Sequence, residues 1–510
     1  MSHSMKIAIA LLSLSAGWVS DATSVPRHGK SACQQLAVKF STKTYFPGSK
    51  NYTHYAEEEI NSATCVLDPG CVFTPTSARD VADALRIIRD TRTTFSVVSG
   101  GHMPVPGAQS NNGGVMIAMA NINAKTLNAD KSVASIGPGN RWIEVYQWIS
   151  PYGLAVAGGR YSDVGVGGLL VGGGINYFGN QVGWSVNTLV GVQVVLGDGS
   201  IIEANKHKNE DLFWALKGGG NNFGIVTRYD MTTIPLTAAY GGLIAWQGLE
   251  HTAQFIQATQ DFLVSPDGIG DPFTEINPTV TLYPNQTGGA LWQPVFNPFV
   301  SGNYSGVPRS IQNYTNIPNP VGNLLGQEAD WVNNPIKVDS VNTVDVNGHG
   351  QMFGCLAARI APGLVQLHVD TILKPAITAL ANVKDAFVAV SPEPISKAYL
   401  EAARRSGEYA IDLDPADGPF VVLLTSLSWA DPADDETMLK FMETTLASLK
   451  AELIKRGIFY DYIYLNDAAP GQKPFPTYGK GKSLPRLKRV QAKYDRFGVF
   501  KNLITSGFKL

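Results

Sequence analysis

Charge is scarce in this chain. Only 16% of its 510 residues are Asp, Glu, Lys or Arg, and 40 basic side chains nearly balance 42 acidic ones, for a formal net charge of −2. A chain without a basic excess has no field that holds a polyanion by counterion release, so nucleic acid is excluded as a partner. Long apolar runs are missing too. Beyond the first two dozen positions no stretch reaches the roughly 18 uninterrupted apolar residues of a membrane span, and no membrane partner is expected. Cysteine is sparse: Cys33, Cys65, Cys71 and Cys355 lack the paired CxxC spacing of a zinc site, so no metal is expected.

The N-terminus MSHSMKIAIALLSLSAGWVSDATS combines a lysine, an apolar run from Ile7 to Val19 and small residues around Ala22. This pattern predicts a secretory signal peptide over residues 1–22 and a secreted mature protein. In an oxidising compartment the four cysteines read as structural, and they permit three pairings between which the sequence does not choose. Sequons at Asn51, Asn285, Asn303 and Asn313 fit the same route as glycosylation sites.

At this length more than one packed unit is expected. From Tyr45 to Pro235 glycine-rich sequence alternates short apolar segments with helical ones. In SARDVADALRIIRD, residues 77–90, Ser77 supplies a cap and Val81, Leu85, Ile87 and Ile88 lie close to the helical spacing. GVQVVLGDGSIIEA predicts a hairpin turning at Asp198-Gly199. Helices are expected at 251–263 and 433–456, strands at 419–428 and 458–465, and a long surface excursion over 300–345, which is rich in Asn, Pro, Gly and Ser. The expected division places a cofactor domain at 23–238 (core 66–238), a second domain at 239–455 and a C-terminal segment at 456–510.

Three glycine clusters stand out: SGGH at 99–102, VGVGGLLVGGG at 164–174 and KGGGNNFGIVT at 217–227. Such density suits a backbone that takes positive φ or closely approaches a ligand. Consecutive N–H groups in such turns form an anion-binding concavity without basic side chains, which fits a diphosphate. None of the clusters carries GK[ST], and GVGGLL lacks the strand, helix and acidic residue that surround a Rossmann fingerprint.

Taken in order, VVSGGHMPVPGAQSNNGGVMI, GGRYSDVGVGGLLVGGGINYFGNQVGWSVNTLVGVQVVLGDGS, NEDLFWALKGGGNNFGIVTRYDM and the tail YLNDAAPGQKPFPTYG resemble the secreted berberine-bridge-enzyme-like flavoproteins of the vanillyl-alcohol-oxidase type, with a fungal flavour. The resemblance spans nearly the whole mature chain. It implies an α+β fold: a two-lobed PCMH-type FAD-binding domain, a substrate domain of antiparallel sheet and helices, and a C-terminus returning to the FAD domain. It also implies FAD bound covalently through His102, with Ser99, Gly100 and Gly101 bringing backbone to the diphosphate. Val164, Gly165, Gly167, Gly168, Ile225, Val226 and Asn466 complete the implied cofactor set. Val98 stands where relatives usually carry arginine. Tyr161 replaces the cysteine of a second linkage, and a phenol forms no thioether, so a single covalent link is expected.

The implied reaction is hydride transfer from a small organic substrate to flavin N5, with O2 as reoxidant and H2O2 as product. Val164 occupies a position where relatives with valine behave as oxidases. The tail motif places Asp467 where several carbohydrate-oxidising relatives have tyrosine, making Asp467 the first candidate base and Tyr464 the second. Period-two alternation sets Tyr464 and Asn466 on one strand face. The contrary reading is that Asp467 caps a loop and Tyr464 packs in the core. Glu408, Tyr409 and Asp412 are further candidates facing the flavin. The aspartate tilts the expected substrate towards a secondary-metabolite intermediate, with or without ring closure. An extracellular oligosaccharide oxidase and a non-catalytic flavin-bearing binding protein are the alternatives. A monomer is expected.

Overall fold

The computed structural model describes residues 27–286, 288–341 and 348–510; the expected signal peptide lies outside them. Among the described residues no helix is long and apolar enough to cross a membrane, and no metal-holding cluster of His, Cys, Asp and Glu occurs. The expected α+β architecture is observed.

Two small sheets build the first lobe pair. Strands β1 (Thr44–Tyr45), β2 (Cys71–Phe73), β3 (Phe95–Val98) and β4 (Val115–Ala118) form a sheet of order β1-β2-β4-β3, with β4 parallel to β2 and β3. The helix Ala78–Thr91 crosses between β2 and β3. As its sequence predicts, the Ser77 hydroxyl caps it by accepting from the Asp80 N–H at 3.2 Å, and Val81, Leu85 and Ile88 are buried, whereas Ile87 is only half-buried at the edge of that cluster. A Cys33–Cys71 disulfide ties the helix Arg27–Lys39 to β2. Closing its 38-residue separation removes about 4 kcal/mol of unfolded-chain entropy. Cys65 and Cys355 remain buried free thiols, so the expectation that all four are structural pairs does not hold.

The second sheet, β5 (Lys125–Leu127), β6 (Val133–Ile136), β8 (Leu189–Val195), β9 (Ile201–Asn205) and β10 (Ile225–Thr232), has the order β5-β6-β10-β8-β9. Here β8 and β9 make the expected hairpin, with Gly199 at φ +80° in its turn. A short ladder of β7 (Leu154–Ala155) with β11 (Ile234–Pro235) closes this part.

A ten-stranded antiparallel sheet follows. Its members are β12 (Ala239–Gly241), β13 (Ile244–Ala245), β14 (Thr274–Tyr283), β15 (Leu291–Ser301), β16 (Gly322–Asn323), β17 (Gly326–Glu328), β18 (Gly350–Arg359), β19 (Phe387–Ile395), β20 (Phe420–Trp429) and β21 (Phe459–Tyr460). One face packs on the helices Leu249–Val264, Leu364–Ala379 and Asp435–Lys455, burying Ile276, Val280 and Leu282 of β14 with Val388 and Val390 of β19. By the period of two, Asn277, Thr279, Thr281 and Tyr283 point the other way, into a cavity.

Two sequence expectations need correction here. The run 458–465 is a strand only at Phe459–Tyr460, and a tight Tyr462 N–H to Tyr460 carbonyl bond turns the chain away from the ladder. The described part of 300–345, residues 300–341, is not a bare surface excursion: β16 and β17 extend the sheet, and Ile311, Tyr314 and Trp331 are fully buried. Their aromatic and aliphatic anchors outweigh the polar composition. Past β21 the chain returns to the first lobes, where the Leu503 carbonyl accepts from the Phe95 N–H at 2.9 Å and the Phe95 and Phe500 rings meet edge-on at 5.8 Å.

Candidate functional site

A cavity of about 1030 Å³ lies between the glycine-rich lobes and the helix-free face of the large sheet. It stands at the upper end of the ~300–1,000 Å³ typical of ligand pockets, large enough for a dinucleotide together with a substrate. Every cofactor position expected from the sequence lines it: Ser99, Gly100, Gly101, His102, Val164, Gly165, Gly167, Gly168, Ile225, Val226 and Asn466. Asp467 and Tyr464 line it as well.

The glycines are there because two backbones touch. A Cβ on Gly100 would stand 2.3 Å from the Gly165 nitrogen, and one on Gly165 equally 2.3 Å from the Gly100 nitrogen. Ser99 locks the crossing, donating to the Pro138 carbonyl at 2.6 Å and accepting from the Gly167 N–H at 3.2 Å. The Gly101 turn takes φ +72° against the Glu59 carbonyl, where a Cβ would not fit. Among the described lining residues Arg160 is the only Lys or Arg, so an anionic ligand here would meet main-chain N–H groups. The cradle therefore fits the diphosphate of FAD.

His102 sits at the mouth of this crossing, its ring partly buried. Its Nε2 is 2.8 Å from Asp163 Oδ2, and Asn61 Nδ2 lies 3.4 Å from its Nδ1. With Nε2–H donating to the carboxylate, the Nδ1 lone pair accepts from the Asn61 amide N–H. Arg141 supports the arrangement by pairing with Glu59 and by donating to the Gly100 carbonyl at 3.0 Å and to the Asp163 carbonyl. It brings a guanidinium from a different segment to this neighbourhood, whereas Val98 is simply buried in β3. Burial pushes the Asp163 carboxyl up, but the His102 bond and the Arg141 charge outweigh it and leave it below its usual range.

At the opposite wall, β14 and β19 run side by side, and the Thr279 and Ser391 hydroxyls meet at 2.7 Å. The wall is graded. Asn277 and Glu393 lie at one end, hydroxyls of Thr279, Thr281, Ser391 and Ser426 in the middle, and Tyr283 with Phe387 at the other end, their rings 6.1 Å apart. From Asn277 to Tyr283 the strand covers roughly 20 Å. Tyr161 reaches the first end and accepts from Asn277 Nδ2 at 3.1 Å.

Charge concentrates at that same end. Arg160 pairs with Glu393, whose side chain is 1% exposed. Asp467 lies beside Glu393, with Oδ2 sealed from solvent and without a hydrogen-bond donor, as is Glu393 Oε2. Burial first, then the adjacent Glu393 carboxylate, drive the Asp467 carboxyl far above its usual range, with Arg160 opposing. Glu275, behind Asn277 on β14, is pushed up to about 8 by burial against the Arg160 attraction. For Arg160 burial works against the charge, but Glu393 outweighs it and the guanidinium stays protonated.

Two expectations, one on the tail and one on residues 408–412, are corrected. Residues 465–467 form a short 3-10 turn instead of a strand. Tyr464 and Asn466 still meet, but by a 3.0 Å bond from Asn466 Nδ2 to the Tyr464 hydroxyl, which also accepts from the Ile175 N–H at 2.9 Å. Burial raises the Tyr464 phenol further. Glu408, Tyr409 and Asp412 do not reach the cavity: Glu408 pairs with Arg486, Asp412 with Arg404, and Tyr409 is packed in the core. Sequence reasoning missed Glu393, Arg160, Glu275 and Arg141. The available signal for Glu393 was an acid inside FVAVSPEPI, in phase with Ala389 and Ser391.

The family model of an FAD binding domain matches residues 69–205. The chain is 36% identical, over 99% of both sequences, to the FAD-dependent monooxygenase prx3 of Penicillium roqueforti. It is 29% identical to the bifunctional solanapyrone synthase of Alternaria solani, covering 94% of this chain and 89% of that one. Among solved structures, the carbohydrate oxidase of Microdochium nivale superposes with a TM-score of 0.72 at 21% identity, over 92% of this chain and 98% of the other.

Proposed function

Because this chain belongs to the berberine-bridge-enzyme-like FAD-dependent oxidoreductases, and is accordingly an enzyme, we propose that it is a secreted, monocovalent FAD oxidase. Its substrate in this reading is a small organic intermediate of fungal secondary metabolism. The observation that carries the proposal is His102, held at the crossing of two glycine turns with Nε2 tied to Asp163 and Nδ1 facing the Asn61 amide. His102 is the proposed attachment point. Tyr161, already engaged with Asn277, leaves no thiol for a second link.

When bound, FAD supplies the hydride acceptor. The chain's own residues do the rest. The glycine crossing holds the diphosphate, the sheet face orients the substrate, and the carboxyls of Asp467 and Glu393 manage the proton. Oxidase behaviour is supported by Val164, which lines the cavity and carries a small branched side chain. The name of the Penicillium relative points instead to oxygen insertion. The signal-peptide pattern and the exposure of Asn51, Asn285, Asn303 and Asn313 support a secreted glycoprotein.

A second reading, an oligosaccharide oxidase, is favoured by the hydroxyl-lined middle of the sheet face. A peroxide-release screen of phenolic alcohols and oligosaccharides separates the two. The proposal expects H2O2 in one-to-one ratio with oxidised phenolic or polyketide-type alcohol. Turnover confined to oligosaccharides would favour the second reading, and oxygen incorporated into product without peroxide would contradict oxidase chemistry.

A further inference from the structure

Three carboxyl groups surround one guanidinium at the charged end of the cavity. Arg160 enters from the loop preceding Tyr161, Glu393 from β19, Glu275 from β14 and Asp467 from the C-terminal turn. The other titratable groups packed against them are the phenols of Tyr161, Tyr399 and Tyr464 and the thiol of Cys355; burial pushes those of Tyr399, Tyr464 and Cys355 further towards neutrality. With every carboxyl ionised the site would carry an uncompensated double negative charge out of water, which proteins avoid by taking up protons.

The hydrogen-bond pattern says where the protons go. Arg160 bonds Glu393, so the negative charge is best placed on Glu393. Glu393 Oε2 and Asp467 Oδ2 are both buried acceptors with no donor if both groups are ionised, yet the two carboxyls lie within hydrogen-bonding reach of each other. A proton between them satisfies both groups at once.

We propose that the resting enzyme holds Asp467 as a neutral carboxylic acid donating to an ionised Glu393, so that Glu393 is the proton acceptor for the substrate and Asp467 is its positioning partner. This rests on the oxidoreductase reading above. In the step, the substrate C–H bond breaks with its electron pair leaving as hydride to the cofactor. The substrate's O–H or N–H proton passes to a Glu393 oxygen as the C=O or C=N bond forms. Asp467 keeps its own proton, and Arg160 its charge. A site neutral before the substrate arrives, with Arg160 balanced by Glu393, suits an uncharged alcohol or amine.

Infrared spectroscopy of the purified flavin-loaded enzyme tests this without any substrate. At neutral pH the wild-type protein should show a protonated-carboxyl C=O band that shifts in D2O and on labelling with carboxyl-13C aspartate. Asp467→Asn should abolish the aspartate-sensitive band. Glu393→Gln should abolish it too, because Asp467 then ionises to pair with Arg160. The proposal is overturned if wild-type enzyme has no aspartate-sensitive acid band, or if that band survives in Asp467→Asn. The labelling experiment needs no variant, so a misfolded mutant does not remove the test. Flavin release or absence of turnover would strike the oxidoreductase reading and leave this spectrum as it is.

Discussion

Glu275 illustrates how a single buried acid ties stability to pH. Its carboxyl ionises near the usual carboxylate range when the chain is unfolded but only around pH 8 when folded, because burial penalises the charge. Below the unfolded value both states are protonated and no penalty exists. As pH rises towards 8 the unfolded chain releases its proton first, so folding stability falls across that window. Glu275→Gln should therefore leave the melting temperature nearly unchanged at pH 5 and raise it at pH 8. An equal shift at both pH values would show that the carboxyl is not held protonated. At this scale the sequence was informative where chemistry sits inside a contiguous motif. His102 and Asp467 could be named from their neighbours. The Arg160–Glu393 pair joins positions 233 residues apart, and no local pattern reveals such a pair; only the packing of the Arg160 loop against β19 brings it together.

Among elements, the crossing of the SGGH turn with the Gly165 segment sets main chain against main chain. A methyl on Gly100 would press on the main chain of Gly165, which cannot rotate aside, and forced overpacking costs roughly 1–3 kcal/mol. Gly100→Ala should lower the melting temperature and the flavin-to-protein absorbance ratio together. Gly168, whose added Cβ would meet nothing within 4 Å, is the control: Gly168→Ala should leave the melting temperature where it was. Parallel behaviour of the two variants would refute the close-approach account. The well-read elements were those with local signals: the Ser77-capped helix and the Asp198-Gly199 hairpin. The tail was misread because period-two patterning does not register the turn at 465–467, where a Tyr464 carbonyl to Asp467 N–H bond curls the chain and leaves Asp467 beside Glu393.

For the whole molecule, the site exists because the C-terminus comes back. Phe500 and Ile504 pack beneath the first sheet while Tyr464, Asn466 and Asp467 reach the cavity from the same returning chain. One wall is thus the glycine crossing, the other a graded sheet face, and the charged end lies where they converge. The α+β class and this return were legible through the ordered series of family-like motifs; the ten-strand order was not, since strand pairing is non-local. The central claim is that this cavity holds FAD through one bond to His102. Acid precipitation followed by tryptic peptide mass spectrometry tests it most directly. The account predicts a yellow pellet and the flavin mass on the peptide containing His102 alone. Flavin recovered wholly in the supernatant, or a flavin peptide that joins the His102 and Tyr161 segments, would contradict it.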